Sequence, residues 1–266
     1  MTNTERRDSG MLYITDDAVM EEQAVARRLC QKLNTMDRSD FKGIQEVAKE
    51  LLGKSDGAWI NPPFYCDYGK KIEVGRNTFI NYNCTILDVA RVRIGDYCQI
   101  APNVSIYTAG HPVHPAARNT LYEYGIEITI GNNVWIGGNV VICPGVHIGD
   151  NTVIGAGSVV NKDIPAWSVA AGNPCRVIRR ITEEDLKTYY RGVPVDEEAR
   201  ANMQQLWAQN TDPVKYPSSP SPCREAENTW DRPQKGRIRA PHILRSLPDR
   251  PPASRSRGRP RKTAFL

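Results

Sequence analysis

Residues 130–160 read IGNNVWIGGNVVICPGVHIGDNTVIGAGSVV, with Ile or Val at 130, 136, 142, 148, 154 and 160. The spacing is six, and glycine follows at 131, 137, 149 and 155. An α-helix repeats every 3.6 residues and a half-buried strand every two, so neither puts glycine at a fixed point of a six-residue cycle. A hexapeptide β-helix does. Each hexapeptide is one short strand plus a corner, the aliphatic side chain points inward, and glycine allows the tight backbone turn beside it. Three hexapeptides close a triangular coil, so Ile130 stacks on Ile148, Ile136 on Ile154 and Ile142 on Val160.

The cycle extends upstream to aliphatic residues at 74, 80, 86, 94, 100 and 106, which makes twelve repeats, or about four coils. Two residues are extra between Ile86 and Ile94, and 18 between Ile106 and Ile130. Keeping the phase through the longer gap would put Pro112, Arg118 and Tyr124 inside the prism. Residues 107–129 (YTAGHPVHPAARNTLYEYGIEIT) therefore leave the solenoid as a long loop, and long loops in compact domains are usually functional.

Two amphipathic helices precede the repeats. Thr15-Asp16-Asp17 suits an N-cap with an acidic first turn, followed by Val25, Leu29 and Leu33 at helical spacing. From about Asp40, a second stripe holds Phe41, Ile44, Val47, Ala48, Leu51 and Leu52 and stops at Gly53. After Ile164-Pro165 the cycle ends, and Thr182 before Glu183, Glu184 and Asp185 caps a short C-terminal helix. The expected organisation is a helical cap over 1–58, a β-helix over 59–180, a helical segment over 181–210 and a tail over 211–266.

Over residues 1–210 there are 22 Lys and Arg against 25 Asp and Glu, whereas 211–266 carries 13 against 5 and 10 of the 19 prolines. A basic, proline-rich stretch without apolar periodicity cannot offset its ordering entropy, so the tail is expected to be disordered. The 266 residues are 40% hydrophobic, enough for a real core. The polar N-terminus and the lack of a long apolar run point to a cytoplasmic protein, or a nuclear one if the basic tail is a localisation signal. Seven cysteines without a C-x-x-C spacing indicate packed thiols, not a disulfide framework or a zinc ribbon.

The loop carries His111 and His114 in Gly-His-Pro-Val-His-Pro. A neutral imidazole on a proline-stiffened loop suits a general base near neutral pH, and a solvated surface histidine is the plain alternative. His-x-x-His suggests metal, yet no third ligand is visible. Outward Trp135 covers either a subunit or ligand surface, or the underside of the loop. Lys162, Arg176 and Arg179, with Gly172-Asn173-Pro174 between, form either a phosphate site or a solvated basic face.

From Asn81 to Arg179, NYNCTILDVARVRIGDYCQIAPNV, TAGHPVHP, EYG, ITIGNNVWIGGNVVICPGVHIGDNTVIGAGSVVNKDIP and AGNPCRVIR together resemble the maltose and galactoside O-acetyltransferases. The likeness runs upstream through GMLY and NPPFYCDYG and covers roughly residues 10–190. It implies a left-handed parallel β-helix, acetyl-CoA as co-substrate, a sugar hydroxyl as acceptor, and a homotrimer with sites between neighbouring subunits. By the same resemblance His111 matches the general base, while Asp67, Asn81 and Glu123 match acceptor-side positions. Gly138 falls where relatives carry Ser, leaving its backbone N–H for the oxyanion. Ala156, Asn161, Lys162, Arg176 and Arg179 match the coenzyme-binding run. Val89 stands where galactoside-specific relatives carry Asp, which makes Asp88 either a substitute acceptor contact or part of the outward bulge.

Other readings compete. The scaffold also serves hydroxyl acceptors other than sugars and zinc proteins of the γ-carbonic-anhydrase kind. Arg257-Gly258-Arg259-Pro260 is similar to the core of a minor-groove AT-hook, so the tail could give weak, salt-sensitive polyanion binding or DNA association.

Overall fold

A computed structural model describes residues 1–209, 212–215 and 217. Three faces of parallel strands wrap one interior. The first face stacks strands Trp59–Ile60, Phe79–Ile80, Gln99–Ile100, Trp135–Ile136, Val153–Ile154 and Ser168–Ala171. Phe64–Cys66, Cys84–Leu87, Ser105–Tyr107, Val141–Ile142 and Val159–Val160 form the second face, and Lys54–Ser55, Ile72–Val74, Val92–Ile94, Ile128–Ile130 and His147–Ile148 the third. The aliphatic ladders pair in register as the hexapeptide cycle requires: Ile136 with Ile154, Ile130 with Ile148, and Ile142 with Val160. The small residues four positions after each aliphatic are also inside, from Thr78 and Cys84 to Thr152 and Ser158.

The solenoid has five full coils and the start of a sixth, one coil more than the periodicity marks. The extra coil is the first, at 54–66, where the residues following Ile60 and Cys66 are Asn61 and Asp67 in place of glycine. The glycines after the aliphatic residues also have a different task from the one expected. Left-handed backbone sits two residues later, at Asn133, Asn139 and Asn151 among others, with φ of 54°, 59° and 57°. Asn tolerates that region through its short polar side chain. Gly137 is needed for close approach between coils: a Cβ there would lie 2.5 Å from the backbone N of Ala156.

The helical cap consists of α1 (Asn3–Asp8), α2 (Asp17–Thr35) and α3 (Phe41–Leu51). Asp16, not Thr15, caps α2, its carboxylate accepting from the Val19 N–H at 3.1 Å. The buried stripe of α2 is Val19, Ala26, Cys30 and Leu33, so Val25 is exposed and Leu29 only packs at the margin. On α3, Ile44, Val47, Ala48 and Leu51 are inside while Phe41 lies outside against Trp59. At the opposite end, Arg176–Arg180 pairs antiparallel with Ser168–Ala171 and closes the sheet edge.

The corner between the second and third faces is the irregular one. Each of its first two passages is two residues longer than the repeat, from Cys66 to Val74 and from Ile86 to Ile94, and the third opens into the loop. Loop residues 107–127 hold the strand Ala109–Gly110, α4 (Pro115–Arg118) and the strand Tyr122–Gly125. Beyond the solenoid, Thr182 and Asp185 form a capping box on a single 3-10 turn, Glu183–Leu186. The longer helix is α5, Glu197–Gln209, and none of its residues is buried. Of the tail, Asp212 pairs with Arg76 at 3.1 Å and accepts from the Tyr97 hydroxyl at 2.7 Å; the RGRP segment lies outside the described residues.

The long corners are pegged from the coil above. Thr108, fully buried, donates its hydroxyl to Leu87 O at 2.7 Å and accepts from the Ala90 N–H at 2.9 Å. Thr108→Val keeps the shape but leaves the Ala90 N–H unpaired. It is expected to lower unfolding free energy by about 1–3 kcal/mol in urea titration.

Candidate functional site

A strand just before α2, Tyr13–Ile14, reaches across the molecule to pair antiparallel with Tyr122–Gly125, which in turn pairs with Ala109–Gly110. Gly110 faces Tyr124 and Tyr13 faces Glu123, so one residue past Gly110 the register brings His111 level with Glu123. The Thr15 hydroxyl donates a hydrogen bond to the Glu123 carboxylate. This small sheet lies over an apolar floor of Tyr13, Val19, Tyr68, Val89 and Ala109. Val89 is thus buried floor, with no polar group to offer.

The two histidines differ in what they are free to do. The Nδ1 of His114 accepts from the Ala116 N–H at 3.2 Å and caps α4. His111 is exposed on the approach to that turn, at the end of a strand. Among the described residues, no group of three or more His, Cys, Asp or Glu side chains is arranged to hold a metal ion.

Carboxyl groups gather at the long corner. Asp88 is fully buried, and its Oδ1 accepts from the N–H groups of Asp67 at 3.0 Å and Tyr68 at 2.9 Å. As an acceptor contact it is therefore corrected: Asp88 braces the corner below it and has no open path to a ligand in the chain. Its second oxygen has no hydrogen-bond partner among the described residues, and burial pushes the carboxyl up. Asp67 is half-buried; burial first, then the charges of Asp88 and Glu123, push its carboxyl up to about 6 against the pull of Arg27.

The remaining expected residues lie elsewhere. Asn81, Gly138 and Ala156 follow the first-face strands ending at Ile80, Ile136 and Ile154, at the corner between the first and second faces. Gly138 O accepts from the Gly157 N–H at 2.9 Å. Asn161 and Lys162 are exposed after Val160. Arg176 and Arg179 project from the closing hairpin, where Arg179 makes two bonds to Asp185, at 2.9 and 2.6 Å. Trp135 is 56% exposed, which leaves the loop-underside reading without support. It belongs to an outward row that runs on through Val153 and Val169 to Arg179 on one side and through Gln99 to Phe79 on the other.

Known proteins share this arrangement. The maltose acetyltransferase hexapeptide capping motif matches residues 6–57, and the bacterial transferase hexapeptide (six repeats) matches residues 127–162. A galactoside O-acetyltransferase of Escherichia coli is 46% identical over 199 residues, 74% of this chain and 98% of that protein. The chain belongs to the galactoside and maltose O-acetyltransferase family of hexapeptide-repeat enzymes. A galactoside acetyltransferase solved in complex with coenzyme A superposes with a TM-score of 0.71 at 45% identity, covering 74% of this chain and all (100%) of that one. A hexapeptide-repeat acetyltransferase of Vibrio cholerae, complexed with acetyl coenzyme A, gives 0.64 at 36% identity, covering 69% and 100%.

In this O-acetyltransferase, Tyr13 and Thr15 are the site residues that periodicity misses. Tyr13 lies on a strand of two residues and Thr15 just beyond it, and the local hint is Thr15 beside a helix cap. A carboxyl raised to about 6 from an ordinary ~4 binds its proton more tightly in the folded chain than in the unfolded one. Its contribution to stability is full below pH ~4 and lost as pH rises to about 6. Asp67→Asn, neutral at every pH, is expected to melt higher than wild type at pH above 7 and level with it at pH ~4. Parallel melting curves across that range would show that Asp67 ionises normally.

Proposed function

We propose that the chain transfers the acetyl group of acetyl-CoA directly to a sugar hydroxyl, with His111 as general base, in a homotrimer whose sites lie between subunits. The observation that carries the base assignment is the division of labour in the loop. His114 is occupied as a helix cap, while His111 stands level with Glu123 at the end of the Ala109–Gly110 strand. His111 takes the acceptor hydroxyl proton as the oxygen attacks the thioester carbonyl. The tetrahedral oxyanion then collapses, the C–S bond breaks, and the imidazolium returns the proton to the CoA thiolate. The Gly138 N–H is the donor proposed for the oxyanion.

Glu123 and Asp67 supply hydrogen-bond acceptors for the other sugar hydroxyls, above the floor that includes Val89. The outward row from Trp135 to Arg179 gives an aromatic face at one end and a guanidinium at the other, which suits a coenzyme with an adenine ring and phosphates. The family's solved member with bound coenzyme A supports that donor. Placement supports the oligomer: His111, Glu123 and Asp67 lie at or over one corner of the prism, while Asn81, Gly138 and Ala156 lie at another. A second chain's corner completes the set.

His111→Ala is expected to lower kcat by about 10²- to 10⁴-fold and to leave coenzyme binding intact, whereas His114→Ala stays within a few-fold of wild type. The reverse pattern overturns the assignment. An acceptor screen following acetyl-CoA consumption separates sugars from other hydroxyl compounds. Sedimentation of an active monomer at assay concentration would overturn the shared site.

A further inference from the structure

Cys30 and Cys66 are 36 residues apart in sequence, and the fold brings their sulfur atoms to 3.7 Å. Cys30 lies on the buried stripe of α2, and Cys66 ends the first strand of the second face, one residue before Asp67. One helical turn beyond Cys30, Asn34 clamps the helix to that strand: its amide donates to Phe64 O at 3.0 Å and accepts from the Phe64 N–H at 2.8 Å. The facing of the two sulfurs is thereby fixed by backbone. The other inward thiols have different neighbours, Cys84 directed at Ala101 O at 3.4 Å and Cys98 at Gly131 O at 3.1 Å.

A surface hollow of about 330 Å³ opens onto the pair, lined by Arg27, Cys30, Gln31, Asn34, Tyr65 and Cys66. Arg27 is exposed and gives the hollow a positive edge. The two thiols are unequal: the hydrogen bond between them holds Cys30 below the ordinary thiol range and pushes Cys66 up. Neither sulfur has a part in acetyl transfer as proposed above.

We propose that Cys30 and Cys66 are a dithiol site that reacts with low-molecular-weight disulfides of the glutathione class and closes to a disulfide. The Cys30 thiolate attacks one sulfur of the small disulfide, whose S–S bond breaks, and the first thiol leaves with a proton from solvent. A mixed disulfide remains on Cys30. Cys66 then loses its proton to solvent and attacks the Cys30 sulfur, expelling the second thiol. Two protein thiols and one small disulfide become one protein disulfide and two small thiols, so electrons and protons balance. The sulfurs need only close from 3.7 Å to a bond of about 2.05 Å. Arg27 suits the carboxylates of glutathione.

The test uses the full chain equilibrated in oxidised and reduced glutathione at stepped ratios, then acid-quenched, alkylated, digested and mapped by mass spectrometry. The expected result is a Cys30–Cys66 cross-linked peptide that appears at a lower oxidised fraction than any other modification. It should be accompanied by a melting temperature several degrees higher that dithiothreitol reverses, since the bond closes a loop in the unfolded chain. In Cys66→Ser, a glutathione adduct should remain trapped on Cys30. Wild-type protein in which Cys30 and Cys66 stay alkylatable while Cys143 or another thiol oxidises would overturn the proposal, and no variant has to fold for that result. An adduct on Cys66 in Cys30→Ser, with none on Cys30 in Cys66→Ser, would overturn the order of attack.

Discussion

Coil-on-coil approach governs this molecule. Strands of successive coils lie about 4.8 Å apart, so at the closest corners a side chain has no room between one coil and the next. At Gly131 and Gly149, as at Gly137, an added Cβ would fall within 2.7 Å of backbone nitrogen in the coil above. The inward aliphatic positions set the six-residue cycle, and glycine joins them at the corners of closest approach, while Asn81, Ala101 and Cys143 follow the aliphatic residue elsewhere. Once several coils stack, each strand's N–H and C=O groups are satisfied by its neighbours, and only the two ends of the prism need covering. The helical cap covers the first, packing Leu33, Ile44 and Leu51 into the same core as Ile60 and Ile72, and the hairpin ending at Arg180 turns back over the last.

A stack this regular can tolerate irregularity at one corner because the other two hold the register. Residues 67–71 and 88–91 swell outward in successive coils, and the third passage at the same corner releases the loop. Swelling exposes backbone N–H groups that the ladder no longer satisfies, and each coil supplies the remedy for the one below it. Asp88 serves the corner at 67–68, and Thr108 serves the corner at 88–90. Asp88 is an expensive peg, a buried carboxyl group with one oxygen unpartnered among the described residues. That charge is also one reason Asp67, above which the sugar is proposed to sit, titrates late. Structure and site chemistry are coupled at this corner: the group that holds the loop's foundation also tunes the site's acid.

The solenoid was legible because its constraint is repeated many times, and a repeated constraint survives local exceptions. The first coil was hidden where the repeat is weakest, with Cys66 in an aliphatic place and no glycine after Ile60. On α2, Leu33 is inside as its spacing predicts and Leu29 packs at the margin, but Val25 is apolar yet outside while small Ala26 is inside. Burial on a short cap helix is set by what it packs against, here the strand that ends at Cys66, and that strand is distant in sequence. The site was legible only in part for the same reason. His111 announces itself by its loop, but Thr15 and Glu123, which bond to each other beside the small sheet, are 108 residues apart and meet through a two-residue strand that has no periodicity to detect.

The geometry of a triangular prism bears on the proposal that the site is shared between chains. Within a coil, Asn81 and Asp88 lie at the two ends of the strand Cys84–Leu87, which at ~3.3 Å per residue spans about 13 Å. No rotamer brings groups at adjacent corners onto one small substrate. A loop long enough to cross the face would be needed, and residues 107–127 instead turn back to pair with Tyr13–Ile14 at their own corner. In a threefold arrangement the corner bearing His111 and Glu123 in one chain can face the corner bearing Asn81 and Gly138 in the next. Each chain then contributes each corner once, three sites form from three chains, and the rigidity that separates the two half-sites within a chain becomes the means of holding them in register between chains.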